Sequence, residues 1–365
     1  MIIVFYFSLM ALFCLLAVLF IVSRKMYIST STMAAVMALG IVTQGVLLNF
    51  FGVSFFLSGF GKLLSMLDLA LWIAFLFSFS MTIIKGEFKN IHYANPINRF
   101  GIGTWVGGTS ICGIIVFKQF GSSFLVDTLA FLNVGLWMYY VGISIKSIFE
   151  ILSSGMINRV HGILLLTTVS TQSLVLLFNT INDHVPAYMN GLLIIVGFSF
   201  YIISALCLFK RYSTSHWSVT EDWNNTNCIL HGALSITGLA MIKSGLVSGQ
   251  TAAGFWIGTL IVFLFVESIE SIRLMKRIRL YGLKKGVFTY DVTQWSRIFT
   301  FAMFFTFTYF IESNTLLSMK EAVLHLGIWM ILALFLIELF LSLQNLKKSP
   351  NQTTGQISNE SNSSM

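Results

Sequence analysis

Eleven apolar stretches, each about as long as a bilayer is thick, take up most of the chain: 2–22, 33–52, 63–84, 100–117, 126–149, 160–181, 187–209, 228–247, 252–272, 294–312 and 321–344. A membrane-spanning helix needs roughly 20 mostly apolar residues. The connecting loops are short, so consecutive stretches are expected to be antiparallel helices that cross a membrane in turn. The basic residues sort onto alternate loops. One set holds Arg24, Lys25, Lys85, Lys89, Arg99, Lys146, Arg159, Lys210, Arg211, Arg273, Lys276, Arg277, Arg279, Lys284, Lys285, Arg297, Lys347 and Lys348, which is 18 of the 22 Lys and Arg. The other holds Lys62, Lys118, Lys243 and Lys320. Positive loops stay on the cytoplasmic side, so the expectation is a multi-pass protein of a bacterial-type cytoplasmic membrane, N-terminus outside and C-terminus cytoplasmic.

A hydrophobic fraction of 56% with 10% charged residues leaves no room for a sizeable soluble domain. The net charge of +8 does not imply a nucleic-acid partner, because the basic residues sit at membrane edges. Cys14, Cys112, Cys207 and Cys228 fall in or at the ends of apolar stretches without short spacing, and read as small buried hydrophobes. Residues 2–22 lack a basic segment ahead of the apolar run and are followed directly by Arg24 and Lys25, which favours a retained helix over a cleaved signal peptide. Residues 1–25 are therefore expected to be an extra N-terminal transmembrane helix, 26–346 a ten-helix domain, and 347–365 a disordered cytoplasmic tail rich in Ser, Asn, Gln and Thr.

The ten stretches after the first alternate in character. Odd ones carry small and hydroxylated residues: Gly40, Thr43, Gln44 and Gly45 in the first; Thr104, Gly107, Gly108, Thr109 and Gly113 in the third; Thr167, Thr168, Ser170, Thr171 and Gln172 in the fifth; Gly232, Ser235, Thr237 and Gly238 in the seventh; Ser296, Thr300, Thr306 and Thr308 in the ninth. Even ones are dominated by Leu, Ile, Phe and Trp. In lipid, small residues and hydroxyls mark helices packed inside a bundle, and bulky apolar residues mark those facing lipid. The fold class expected is all-α and integral to the membrane: five helical hairpins, odd helices inside around a central pore and even helices outside, plus the extra N-terminal helix. A solid bundle, whose small residues serve only tight packing, is the competing reading.

Charges within the apolar spans are few. Asp68, Glu267, Glu270 and Glu338 all fall on even helices. Glu267 and Glu270 read as interfacial partners of Arg273 and Lys276, whereas Asp68 and Glu338 are candidates for pairing with a neighbour or for proton coupling. The interiors of the first, third and fifth helices are neutral and the cytoplasmic mouth is basic, an arrangement suited to a small anion. His161 and His231 are the main route to an enzyme or haem reading, but no second ligand follows at i+3 or i+4, and no HExxH, GxSxG or paired-acid motif occurs. No catalytic residue, metal or cofactor is expected.

Five segments resemble, in order, the odd helices of the tellurite-resistance/dicarboxylate transporter family, which includes the plant slow-type anion channels. They are MAAVMALGIVTQG (33–45), NPINRFGIGTWVGGTSICG (95–113), LLLTTVSTQSLVLL (164–177), WNNTNCILHGALSITGLA (223–240) and YDVTQWSRIFTFAMFFTFT (290–308). The resemblance implies five hairpins around a pore and passage of malate and related dicarboxylates, sulfite, chloride, nitrate or tellurite-type oxyanions. It also implies an aromatic plug at Phe299. Members commonly assemble as trimers, so a homotrimer is implied as well. Thr300 and Ala302 depart from the Pro and Gly of the family phrase. The candidate pore wall is Thr104, Thr109, Thr168, Gln172, Ser235, Thr237 and Phe299. A proton-coupled carrier using Asp68 or Glu338, and a membrane enzyme or sensor on the same fold, are the alternatives.

Overall fold

The computed structural model describes residues 2–24, 27–214, 216–313 and 316–347. Among these residues there is no strand, and thirteen helices follow one another: α1 (Ile2–Arg24), α2 (Ala34–Ile41), α3 (Leu48–Phe51), α4 (Val53–Phe56), α5 (Gly59–Ile84), α6 (Gly103–Phe120), α7 (Phe124–Ser153), α8 (Leu166–Ile181), α9 (Ala187–Thr214), α10 (Ile229–Lys243), α11 (Gly249–Gly286), α12 (Gln294–Phe310) and α13 (Leu317–Lys347). Apart from Lys347, which ends α13, the expected tail at 347–365 lies outside the described residues.

Nine helical stretches among the described residues are long and apolar enough to cross a bilayer, which points to a multi-pass membrane protein. The expected spans 228–247 and 294–312 are helical as well but shorter, over α10 and α12. Each stops short of its expected end: α10 at Lys243, and α12 at Phe310 before an extended Ile311. The first expected helix of the core is also irregular. A π-helical stretch, Val42–Leu47, joins α2 to α3 and holds Thr43, Gln44 and Gly45. Such wide turns are uncommon and recur at functional sites.

Burial alternates along the chain. The spans Thr30–Phe51, Asn98–Phe120 and Gly162–Ile181 are 72%, 94% and 83% buried, against 44% or less for each of the other six. Helices α10 and α12 are buried along nearly their whole length. The five buried helices contact each other in a closed cycle: α2 packs on α6, α6 on α8, α8 on α10, α10 on α12, and α12 back on α2. The exposed helices attach to this cycle from outside, α5 on α2 and α6, α7 on α6 and α8, α9 on α8 and α10, α11 on α10, and α13 on α12. Helix α1 packs on α5.

Glycines set the distances within the cycle. A Cβ on Gly232 or Gly238 of α10 would run into Thr300 or Phe307 of α12, and one on Gly45 would meet Thr306. Gly107 and Gly108 of α6 leave room for Met37 and Met33. Close backbone approach of this kind is what holds helices together where the hydrophobic effect cannot.

Hydrogen bonds fix the outer helices to the inner ones in a repeated way. Trp72 of α5 donates its indole N–H to Thr109 (3.1 Å), Trp137 of α7 to Thr171 (3.0 Å), and Trp256 of α11 to Thr308 (2.8 Å). Thr171 and Thr308 give their own protons to the carbonyls of Thr167 and Phe304, leaving a lone pair for the indole.

These contacts predict that Gly232→Leu destabilises the protein by about 1–3 kcal/mol through overpacking against Thr300. Gly254→Leu, at an exposed position with open space around it, leaves stability nearly unchanged. Thermal melting of the two variants in detergent distinguishes them.

Candidate functional site

Four of the five buried helices begin at the same end of the bundle with 3-10 turns, Thr30–Met33, Asn98–Ile102, Gly162–Leu165 and Asn225–Cys228, and these turns touch in series. Just inside them lies a cavity lined by Ala34 and Met37 of α2, Thr104 of α6, Leu166 of α8, Ile229 of α10, and Ser296 and Phe299 of α12. Every helix of the cycle contributes, so the cavity sits on the axis of the bundle. Its volume is about 10 Å³, at the lower limit for holding one water molecule. The axis is shut here.

Phe299 is 3% exposed and forms one wall. Helix α12 runs unbroken through Thr300, which keeps the backbone N–H that a proline would lack and donates its hydroxyl to the Arg297 carbonyl (2.9 Å). Thr104 hydrogen-bonds the Gly101 carbonyl at 2.7 Å. Ser296 is one of the hydroxylated residues of the ninth stretch but is not in the expected pore wall. It precedes Phe299 by three residues, the spacing that puts two side chains on one helix face.

The other candidates are placed differently. Thr109 accepts from Trp72 and faces α5. Gln172 donates to the Ile194 carbonyl of α9 at 3.2 Å, while its Oε1 has no partner. Ser235 and Thr237 donate back to the His231 and Ala233 carbonyls of their own helix. Thr168 is fully buried and its hydroxyl has no partner. Asp68 is fully buried, with both carboxyl oxygens unpartnered. It packs so closely on α2 that a Cβ on Gly40 would lie 2.7 Å from its Oδ2. Glu338 is 4% exposed and one of its oxygens has no partner.

A charged network surrounds the start of α12. Arg297 Nη2 lies 2.6 Å from Glu270 Oε1, which also accepts from the Trp223 indole (3.0 Å), while Arg273 lies 3.5 Å from Glu270 Oε2. Arg273 also hydrogen-bonds Asn225, whose amide donates to Asp291 (3.0 Å) and Thr293 (2.9 Å). Polar residues of WNNTN and YDVTQWSR thus converge in one cluster. The expectation of Glu267 and Glu270 as ordinary interfacial partners of Arg273 and Lys276 holds only for the Glu270–Arg273 contact. Glu270 is buried and its shortest ion pair is with α12, because both groups face inward where water cannot solvate them. Glu267 lies 3.5 Å from His231, whose ring sits between Phe263 and Phe301. His161 bonds Thr226 at 2.8 Å. Neither histidine lines the axial cavity.

The chain matches no family model and no curated protein.

Removing one partner of a buried ion pair leaves the other charge uncompensated, at a cost of about 3–5 kcal/mol. Arg297→Met is therefore expected to lower the melting temperature in detergent sharply, and adding Glu270→Gln to recover part of the loss.

Proposed function

We propose that this chain is an anion channel or transporter resembling the tellurite-resistance/dicarboxylate transporter family, with α2, α6, α8, α10 and α12 forming an inner ring and the exposed helices an outer one. The observation that carries this reading is the axial cavity to which all five buried helices contribute, with Thr104, Ser296 and Phe299 among its lining residues. In the proposed topology the end bearing the 3-10 turns is cytoplasmic, since 18 of the 22 Lys and Arg belong to loops on that side. Small inorganic or organic anions would be drawn to this basic mouth and would then meet a neutral wall.

Passage requires the axis to widen beyond about 10 Å³. A change of the Phe299 rotamer is the smallest movement that achieves this, because α12 is continuous and its start is anchored by Arg297. Hydroxyls that now donate to their own helix carbonyls would have to rotate to donate to an anion. Thr109 and Gln172 are assigned to contacts with the outer helices, and Thr104, Ser296 and Phe299 to the conduit. The neutral wall coordinates weakly, which lets the ion leave again.

Asp68 favours a second reading, a proton-coupled dicarboxylate carrier. An unpartnered carboxyl buried against α2 is costly within a membrane, and proton exchange there would couple the ring to a pH gradient. A membrane enzyme or sensor on the same fold is the remaining reading, and neither His161 nor His231 lines the axial cavity.

Flux of chloride, nitrate, sulfite and malate into proteoliposomes tests these readings. Phe299→Ala is expected to raise flux of at least one anion by about tenfold, equivalent to about 1.4 kcal/mol off the barrier, with or without a pH gradient. Strict dependence on the gradient, abolished by Asp68→Asn, selects the carrier. Absence of flux in both native and variant protein, with folding verified, overturns transport of these anions.

A further inference from the structure

The side chains around the axial cavity fall into two layers. Ala34, Thr104, Leu166, Ile229 and Ser296 stand within the first three residues of α2, α6, α8, α10 and α12, whereas Met37 is the fourth residue of α2 and Phe299 the sixth of α12. At about 1.5 Å of rise per residue, Met37 and Phe299 lie roughly one turn deeper than Ala34 and Ser296 on the same helices. The inner side of the cavity is therefore bounded by one thioether and one ring.

Met37 is seated in a defined way. It is 2% exposed, and its side chain reaches from α2 to α6, where a Cβ on Gly107 would lie 2.7 Å from its Cε and 2.9 Å from its Sδ. Gly107 follows Thr104 by three residues, so the two share the face of α6 that is turned to the cavity. The tip of Met37 thus occupies the notch that a side chain at position 107 would fill. Methionine is unbranched, with three rotatable side-chain bonds, so its position depends on the notch that receives it. The neighbouring Gly108 makes room for Met33 in the same manner, but Met33 does not line the cavity.

Phe299 shuts the axis, and once its ring swings away the cavity-lining side chain left in the deeper layer is Met37. We infer that Met37 sets the width of the opened axis, and hence the size of anion that passes, with Gly107 as the socket that holds its thioether aside. This rests on the anion-conduit reading and names the residue that selects among the anions it admits. With the notch filled, the displaced tip moves into the cavity that Met37 already lines, and a longer ion such as malate loses passage before a compact one such as nitrate.

The test uses the full chain in proteoliposomes, in the Phe299→Ala background, with nitrate and malate as probes. Met37→Ala is expected to raise the ratio of malate to nitrate flux and Gly107→Ala to lower it, each by about two- to tenfold, the range that a displaced side-chain rotamer produces. In the Met37→Ala background Gly107→Ala should have no effect, because the two positions act through one contact. Gly113→Ala, on the same helix but against Leu177 and away from the cavity, should leave the ratio unchanged. A ratio unmoved by Met37→Ala, or one that Gly107→Ala changes equally with and without Met37, overturns the assignment. Gly107→Ala displaces only the flexible end of a side chain, so it decides the matter alone if Met37→Ala does not fold, an unmoved ratio again overturning the assignment.

Thiol labelling separates this failure from failure of the conduit reading. Ala302 is buried and lies one turn beyond Phe299 on the same face of α12. With Ala302→Cys, in a Phe299→Ala chain whose Cys14, Cys112, Cys207 and Cys228 are replaced, a bulky methanethiosulfonate is applied at the end bearing the 3-10 turns. Labelling should be faster with Met37→Ala and slower with Gly107→Ala than in the parent, whichever ion is transported. Labelling that follows Met37 in a protein without anion flux sinks the conduit reading and keeps Met37 at the constriction. Labelling indifferent to Met37 overturns the inference whatever the flux.

Discussion

Everything in this fold depends on how closely five helices approach one another where water is absent. In hydrocarbon, one apolar helix gains little by exchanging lipid for another helix, so association rests on close packing and on hydrogen bonds between helices. The glycines of α10 admit Thr300 and Phe307, and Gly45 admits Thr306, so three of the closest approaches all fall on α12. Helix α12 joins the last part of the ring to the first through its contact with α2. It is also the helix that carries Phe299 and Ser296 into the axial cavity. The packing that closes the ring and the packing that shuts the axis are thus properties of one helix.

Position along α12 is set electrostatically as well as sterically. Arg297 is two residues from Phe299, and its guanidinium is held against Glu270 of the outer helix α11, with Trp223 sharing the same carboxylate. Buried ion pairs contribute little net stability because desolvation offsets attraction, but breaking one is expensive. Such a pair acts as a register pin. It ties the height and rotation of the start of α12 to α11, and through Asn225 to the loop that holds Asp291 and Thr293.

The helical class, nine of the apolar spans and the alternation of buried and exposed helices were legible because they follow from composition, which lipid sorts regardless of rotation. Individual side chains were less so. Each hydroxyl on an inner helix can face the axis, a ring neighbour or an outer helix, and the sequence does not state the rotation. Thr109, Thr171 and Thr308 look like pore-wall residues by type, yet each accepts a tryptophan indole from outside. Gln172 likewise reaches out to Ile194. Ser296 was visible by type and by its three-residue spacing from Phe299.

The closure of the ring is the central claim, and α2 against α12 is the contact that closes it across the greatest sequence separation. Gly45→Cys combined with Thr306→Cys, in a chain whose Cys14, Cys112, Cys207 and Cys228 are replaced, places two thiols where the π-helical continuation of α2 meets α12. Mild oxidation in the membrane followed by mass spectrometry should yield an intramolecular disulfide between positions 45 and 306. Efficient crosslinking of sequential neighbours such as α6 and α8, with none between 45 and 306, would mean that the helices form an open row, and would contradict the closed ring.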